Sequence, residues 1–296
     1  MSHQEHLVTI GSDPNEQEDR RLRERMARIR RRLVVVSGKG GVGKSTAAAN
    51  LAVALSSHGH RVGLLDVDIH GPSIPMILGC EGISLSSDGE SILPAAVRDR
   101  LTLMSIAFLI GNKTDAVIWR GPMKFKVIQQ FLGEVAWGDL DYLVVDCPPG
   151  TGDEPLSVAQ LIGRPAAAVV VTTPQDLAVA DVRRCLNFCQ KADLAIAGVL
   201  ENMSGYVCPQ CGIYTDLFGK GGGERLAEEM SVPFLGRIPI DPRIVGCGDA
   251  GTCLLDAYPE SPAAQSYLAL AVRLHEQEDL WREAPEGVLA SSEAPR

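Results

Sequence analysis

Residues 33–50 read Leu33-Val34-Val35-Val36-Ser37-Gly38-Lys39-Gly40-Gly41-Val42-Gly43-Lys44-Ser45-Thr46-Ala47-Ala48-Ala49-Asn50. The apolar run Leu33–Val36 ahead of a glycine cluster predicts a strand buried on both faces, and the alanine-rich run beyond predicts a helix. Between them, Gly38, Gly43, Lys44 and Ser45 occupy the fixed positions of G-x-x-x-x-G-K-[ST]. Glycines let the backbone curl so that successive N–H groups converge on phosphate oxygens, and the helix N-terminus adds the positive end of its dipole. The Lys44 ammonium suits the terminal phosphates and the Ser45 hydroxyl suits Mg²⁺. Gly38 to Thr46, with the backbone of Gly40, Gly41 and Val42 between, is the expected nucleotide cradle.

Working outward, 296 residues suffice for one α/β domain with a large core. A formal net charge of −9 argues against broad nucleic-acid binding. No apolar run reaches the ~18 residues of a spanning helix, and the polar residues 1–15 carry no secretory core, so neither a membrane nor export is expected. The eight cysteines, two of them in a C-x-x-C, suit a reducing compartment better than a disulfide framework, which points to the cytoplasm. Between residues 16 and 32, eight arginines give a net charge of +4 and leave −13 for the remainder. Pairs such as Arg20–Glu24 and Glu24–Arg28 favour a solvated helix leading into the first strand. The expected division is a polar, then arginine-rich arm at 1–32, a nucleotide-binding domain at 33–280, and a disordered tail at 281–296.

Strand patterns at 33–37, 62–66, 101–106, 142–146, 167–172, 195–200 and 234–238 alternate with helical patterns at 44–57, 123–134, 154–162, 176–191, 222–230 and 262–277. This alternation predicts an α/β fold, a mostly parallel twisted sheet of about seven strands with helices on both faces. Residues 79–99 read as a polar connection. Ligands of such sheets lie past the carboxyl ends of the strands. Asp146, ending Tyr142-Leu-Val-Val-Asp146, is therefore placed near Mg²⁺, and the turn Cys147-Pro-Pro-Gly-Thr-Gly-Asp153 near the γ-phosphate. Asp66 ends the second strand and would support the metal shell. Asp68, just beyond, would orient the attacking water. His70 is expected only to pack or hydrogen-bond locally.

Cys208-Pro-Gln-Cys211-Gly212 is the second informative motif. Two thiolates at this spacing can share a metal centre, and soft sulfur suits zinc or iron–sulfur; a redox disulfide or a structural knuckle are the other readings. Two sulfurs are half of a four-sulfur site, and no second C-x-x-C occurs. A symmetric pair of chains would supply the missing half at its two-fold axis.

The second loop lysine, Lys39, makes Lys39-Gly-Gly-Val-Gly-Lys-Ser45 resemble the deviant phosphate loop of the MinD, ParA, nitrogenase iron protein and Mrp ATPases. With Asp66-Val-Asp-Ile-His-Gly-Pro-Ser-Ile-Pro75, Ile118-Trp-Arg-Gly-Pro-Met123, Trp137 to Asp153, Glu201-Asn-Met-Ser204 and the cysteine motif, roughly residues 30–272 resemble the Mrp/ApbC family of iron–sulfur cluster carriers. That resemblance implies a homodimer in which Lys39 reaches the partner's nucleotide, slow ATP hydrolysis, and a labile [4Fe–4S] cluster bridged by Cys208 and Cys211 and delivered to apo-proteins. It also implies that Asn202 and Asp241 meet the adenine. The four-cysteine N-terminal site of another branch has no counterpart, since no cysteine precedes Cys80. The alternative reading is a MinD- or ParA-like positioning switch. Against a lipid-binding helix of that kind, residues 262–280 hold only Arg273 as a strong base beside Glu276, Glu278 and Asp279.

Overall fold

A computed structural model describes residues 14–109, 121–208 and 210–281 of the chain. In chain order its strands are β1 (Ile29–Ser37), β2 (Val62–Asp66), β3 (Ser86–Ser87), β4 (Ile92–Leu93), β5 (Ala95–Arg98) and β6 (Leu101–Ser105). They continue with β7 (Leu140–Asp146), β8 (Ala166–Thr172), β9 (Ala195–Glu201), β10 (Tyr206–Val207), β11 (Tyr214–Thr215) and β12 (Phe234–Arg237). One eight-stranded sheet runs β12-β9-β8-β1-β7-β2-β6-β5, while β3–β4 and β10–β11 are separate ribbons. Only β5 is antiparallel to its neighbour within the sheet.

The apolar run of β1 takes the central place because it can be buried on both faces. Alternate side chains enter two different cores. Leu33 and Val35 pack with Leu51 and Leu55 of the helix Lys44–Ser57 and with Tyr267 and Leu270 of Pro262–Glu276. Val34 and Val36 pack with Phe131 of Gly121–Gly133, Val158 of Asp153–Leu161 and Leu186 of Asp176–Lys191. On either side of β1 the strand order departs in opposite directions, through β7 and β2 on one side and β8 and β9 on the other. This leaves a crevice at its carboxyl end, where the glycine loop begins.

Two boundaries differ from expectation. β1 starts at Ile29, ahead of residue 33, because Ile29 is buried and aligns with Leu140 of β7. Within that extension Arg31 satisfies its guanidinium locally, donating to the Tyr142 hydroxyl at 2.6 Å and lying over the Tyr142 and Trp281 rings. The helix Pro14–Ala27 before it keeps its predicted Arg20–Glu24 pair at 2.8 Å, but it also buries Leu22 and Met26 in the core. Residues 79–99, expected as a plain connection, contain β3, β4 and the edge strand β5. These are too short and too exposed to print an alternating pattern. The expectations for residues 1–13, for Ile118–Arg120 and for the tail beyond Trp281 lie outside the described residues.

Candidate functional site

The glycine loop turns between β1 and the helix Lys44–Ser57, with Gly41 and Gly43 at φ of 79° and 80°. Two of its glycines answer close approaches. A side chain at Gly43 would run into the Asn202 amide, and one at Gly38 into the backbone of Asp181. Asn202 donates from Nδ2 to the Val42 carbonyl at 2.8 Å, so the segment after β9 braces the loop. Ser45 and Thr46 lie in the first helical turn. Lys39 is half-buried, and among the described residues no hydrogen bond or ion pair engages its side chain.

Parallel pairing of β2 with β7 aligns Asp66 with Asp146, which puts two carboxylates abreast at the sheet's carboxyl edge. Both are fully buried. Lys44 Nζ donates to Asp146 Oδ1 at 2.6 Å and to Ser45 Oγ at 3.2 Å, and stands 3.9 Å from Asp68 Oδ2. Asp66 accepts from the Ser105 hydroxyl at 2.9 Å and from the Asp68 backbone N–H at 3.1 Å. Burial, reinforced by the neighbouring Asp146 charge, pushes the Asp66 carboxyl up to about 8. Burial also raises Asp146, against the pull of Lys44 and the Ser45 hydroxyl.

Asp68 and Asp146 thus share a single ammonium, and the buried Oδ2 of Asp146 has no hydrogen-bond partner among the described residues. A hard divalent cation brought with a nucleotide fits this deficit of positive charge beside the Ser45 hydroxyl. Sequence reading missed Ser105. Its place at the carboxyl end of β6 is the signal that could have found it, by the same rule that found Asp66 and Asp146.

Asp241, expected at the adenine, caps the helix Pro242–Asp249 and accepts from Arg243 at Oδ1 (2.8 Å) and Oδ2 (2.7 Å). Burial opposes its ionisation, but the Arg243 contacts hold its carboxyl below the usual range. A cavity of about 120 Å³ lined by Val207, Pro239, Asp241 and Arg243 lies where this corner meets the β10–β11 ribbon, Tyr206 bridging to Ile240 beside it. Arg243 is set apart by no motif or spacing, and a charge pattern alone reads it as a solvated residue.

Cys208 and Cys211 sit on the connection between β10 and β11. The ribbon continues past them: Cys208 N–H donates to Ile213 O at 3.0 Å and Gly212 N–H to Cys208 O at 2.8 Å. Backbone N–H groups of Cys211 and Gln210 lower the Cys208 thiol from its ordinary value, and the Cys211 thiol adds to this. Cys211 is exposed, as are Ile213, Tyr214, Leu217 and Phe218 around it. Among the described residues no third His, Cys, Asp or Glu joins the pair in a metal-sized group. The excursion from Asn202 to Gly221 is anchored by buried Glu201, which accepts from Gly221 N–H at 3.0 Å, Gly223 N–H at 2.7 Å and the Ser204 hydroxyl. The remaining thiols do not join them: Cys80, Cys147, Cys185, Cys189 and Cys247 are buried and Cys253 is half-buried.

This sheet, with its glycine loop at the central crevice and acids abreast beside it, defines a P-loop ATPase. Residues 28–275 match the NUBPL iron-transfer P-loop NTPase family, and the chain belongs to that family. It is 48% identical over 241 residues to a cytosolic Fe-S cluster assembly factor NUBP2 homolog from Trichoplax adhaerens, covering 80% of this chain and 91% of the relative. It is 47% identical over 235 residues to an iron-sulfur cluster carrier protein from Methanocaldococcus jannaschii, covering 79% and 81% respectively. Among solved structures, the Archaeoglobus fulgidus nucleotide-binding protein in complex with ADP is similar at TM-score 0.70 and 41% identity, covering 79% of this chain and 91% of its own. The Pyrococcus furiosus cell division ATPase MinD follows at TM-score 0.61 and 25% identity, covering 83% and 98%. No helix among the described residues is long and apolar enough to cross a membrane.

Proposed function

We propose that two copies of this chain hold one labile [4Fe–4S] cluster between their Cys208 and Cys211 pairs, and that ATP turnover at the glycine loops governs its delivery to apo-proteins in the cytosol. The observation that carries this reading is the cysteine knuckle itself. It pairs an exposed Cys211 with a Cys208 whose thiol is lowered by neighbouring N–H groups, with exposed apolar side chains close by in sequence, on the chain of an iron-transfer ATPase. A two-fold seam over Ile213, Tyr214, Leu217 and Phe218 would complete four sulfurs and cover the apolar ring at once.

At the nucleotide, loop N–H groups from Gly38 to Thr46 bind phosphate oxygens and Lys44 meets the terminal ones. Ser45 and Asp146 would hold Mg²⁺ with Asp66 behind them, and the ion would supply charge neutralisation at the phosphates. Asp68 orients the attacking water, Lys39 reaches the partner's nucleotide, and Asn202 and Asp241 take the adenine end. Asn202 also supplies a route to the cargo. It touches the loop through Val42, and its own segment runs on into β10 and Cys208. A shift of the loop on hydrolysis would therefore bias the knuckle as a two-state element.

The test is cluster transfer. Protein reconstituted anaerobically with iron and sulfide is mixed with the apo form of a [4Fe–4S] enzyme, with and without ATP, and the acceptor's activity is followed. Wild type should restore activity and a Cys208→Ala, Cys211→Ala variant should not. Equal restoration by both, or a wild type that takes up zinc and no cluster, would end this reading.

A further inference from the structure

Three chain segments that surround the nucleotide crevice meet at one contact that the roles above leave unused. Lys124 projects from the helix Gly121–Gly133, His70 from the loop beyond β2, and Glu154 from the first turn of Asp153–Leu161, just past the Cys147–Asp153 turn. Lys124 Nζ lies 2.6 Å from Glu154 Oε1 and 3.2 Å from His70 Nε2, with His70 Nε2 3.6 Å from the same carboxylate oxygen. An ammonium can only donate, so Nε2 of His70 accepts. The Lys124 and Glu154 side chains are only 15% and 9% exposed, so solvent screens this pair far less than a surface pair. Burial opposes ionisation of Glu154, yet the Lys124 hydrogen bond, aided by the residue's own backbone N–H, holds its carboxyl below the usual range.

The contact continues to the catalytic edge through the backbone. His70 N–H and Gly71 N–H each donate to Asp68 Oδ1 at 3.3 Å, while Asp68 Oδ2 faces Lys44. On the other side, Gly150 N–H donates to Ser37 O at 2.9 Å, tying the Cys147–Asp153 turn to the end of β1. Holding the His70 ring, 70% exposed, restrains the segment that carries the two N–H groups at the Asp68 carboxylate relative to the Cys147–Asp153 turn.

We propose that Lys124, bridging Glu154 and His70, is a positioning residue for ATP hydrolysis: it clasps the Asp68 loop to the Cys147–Asp153 turn at the separation the reaction needs. The clasp does not touch the glycine loop, so it acts on turnover and not on nucleotide affinity. The proposal rests on the role given above to Asp68, and Asp68→Asn is the control that separates the two.

Steady-state ATPase assays on the full chain compare wild type with Lys124→Met, Lys124→Arg, Glu154→Gln and the Lys124→Met, Glu154→Gln double variant. ADP affinity and melting temperature are measured in parallel. Lys124→Met should lower kcat by about tenfold or more, with KM and ADP affinity within about threefold of wild type, since a misplaced group costs rate without uniform binding. Lys124→Arg should recover most of the loss, and the double variant should be no slower than the worse single, because both changes open the same clasp. Wild-type kcat in a folded Lys124→Met protein, fully additive losses, or a parallel loss of ADP affinity would overturn the proposal. If Asp68→Asn hydrolyses ATP normally, the error lies in the role of Asp68, and the clasp falls with it.

Discussion

Lys44 is the residue on which the nucleotide site balances. It answers the buried Asp146 at 2.6 Å and stands 3.9 Å from Asp68. Lys44→Met should lower ATP turnover by about a hundredfold or more, measured by phosphate release, because both the phosphates and the acids lose their cation. Turnover within a few-fold of wild type would contradict the assignment. A second residue-scale prediction concerns His60, stacked on His275 with ring centroids 4.7 Å apart and edge-on to Tyr142. Burial first, then His275, lower its imidazole from 6.5, with Arg31 and His58 adding and Asp141 opposing. A depressed histidine favours the native state above its unfolded value and loses that contribution as pH falls through the folded value. Relative to wild type, His60→Gln should therefore gain melting temperature as pH falls below about 6.5, a comparison that cancels the opposite contribution of the raised Asp66 carboxyl; an unchanged difference would refute this. Asp66, Asp146 and the loop residues were legible because strand ends and G-x-x-x-x-G-K-[ST] fix a chemistry by position. Ser105, Arg243 and the Lys124–Glu154 contact were not, because they are set by which segments the fold brings together, and one-dimensional spacing carries no trace of that.

The elements were read from periodicity, and that worked where burial is two-sided or the helix face is clear. The run Leu33–Val36 showed β1, but not its start. Ile29 enters the core between the exposed Arg28 and Arg30, with Arg31 stacked and hydrogen-bonded and Arg32 buried beyond, so the apolar run begins four residues after the strand does. The same reading sees in Pro14–Ala27 only a charged helix. Leu22 and Met26 make it part of the core, and a side chain at Gly133 would meet Leu22 at 3.4–3.5 Å. Leu22→Ala should therefore cost about 2–4 kcal/mol in denaturant unfolding, whereas Arg23→Ala on the exposed face should stay within ~0.5 kcal/mol. Equal small effects would mean that the helix is an accessory arm. Glu201 sets the ribbon in the same way. Removing a buried carboxylate that accepts from Gly221, Gly223 and Ser204 should loosen the base of the excursion. Glu201→Ala should then speed proteolysis between residues 202 and 221 while leaving ADP affinity in place; unchanged cleavage would count against that anchoring role.

In the whole molecule, Asn202 and the segment it begins join the ATPase crevice to the proposed metal half-site. Neither half explains the other alone: the crevice is shared with MinD-like ATPases, and a lone C-x-x-C is as consistent with a zinc knuckle as with a cluster. The proposed assembly of two copies across the exposed Ile213, Tyr214, Leu217 and Phe218 would unite them. Phe218→Asp should therefore weaken cluster retention although it removes no sulfur, read as the loss of charge-transfer absorbance at equal protein. Retention equal to wild type would place the seam elsewhere. The most direct measurement is native mass spectrometry of anaerobically reconstituted protein, read together with iron and sulfide content. The expected result is a dimer carrying about four iron and four sulfide, reduced to cluster-free protein by Cys208→Ala with Cys211→Ala. A cluster carried by a single chain, or retained by that double variant, would contradict it.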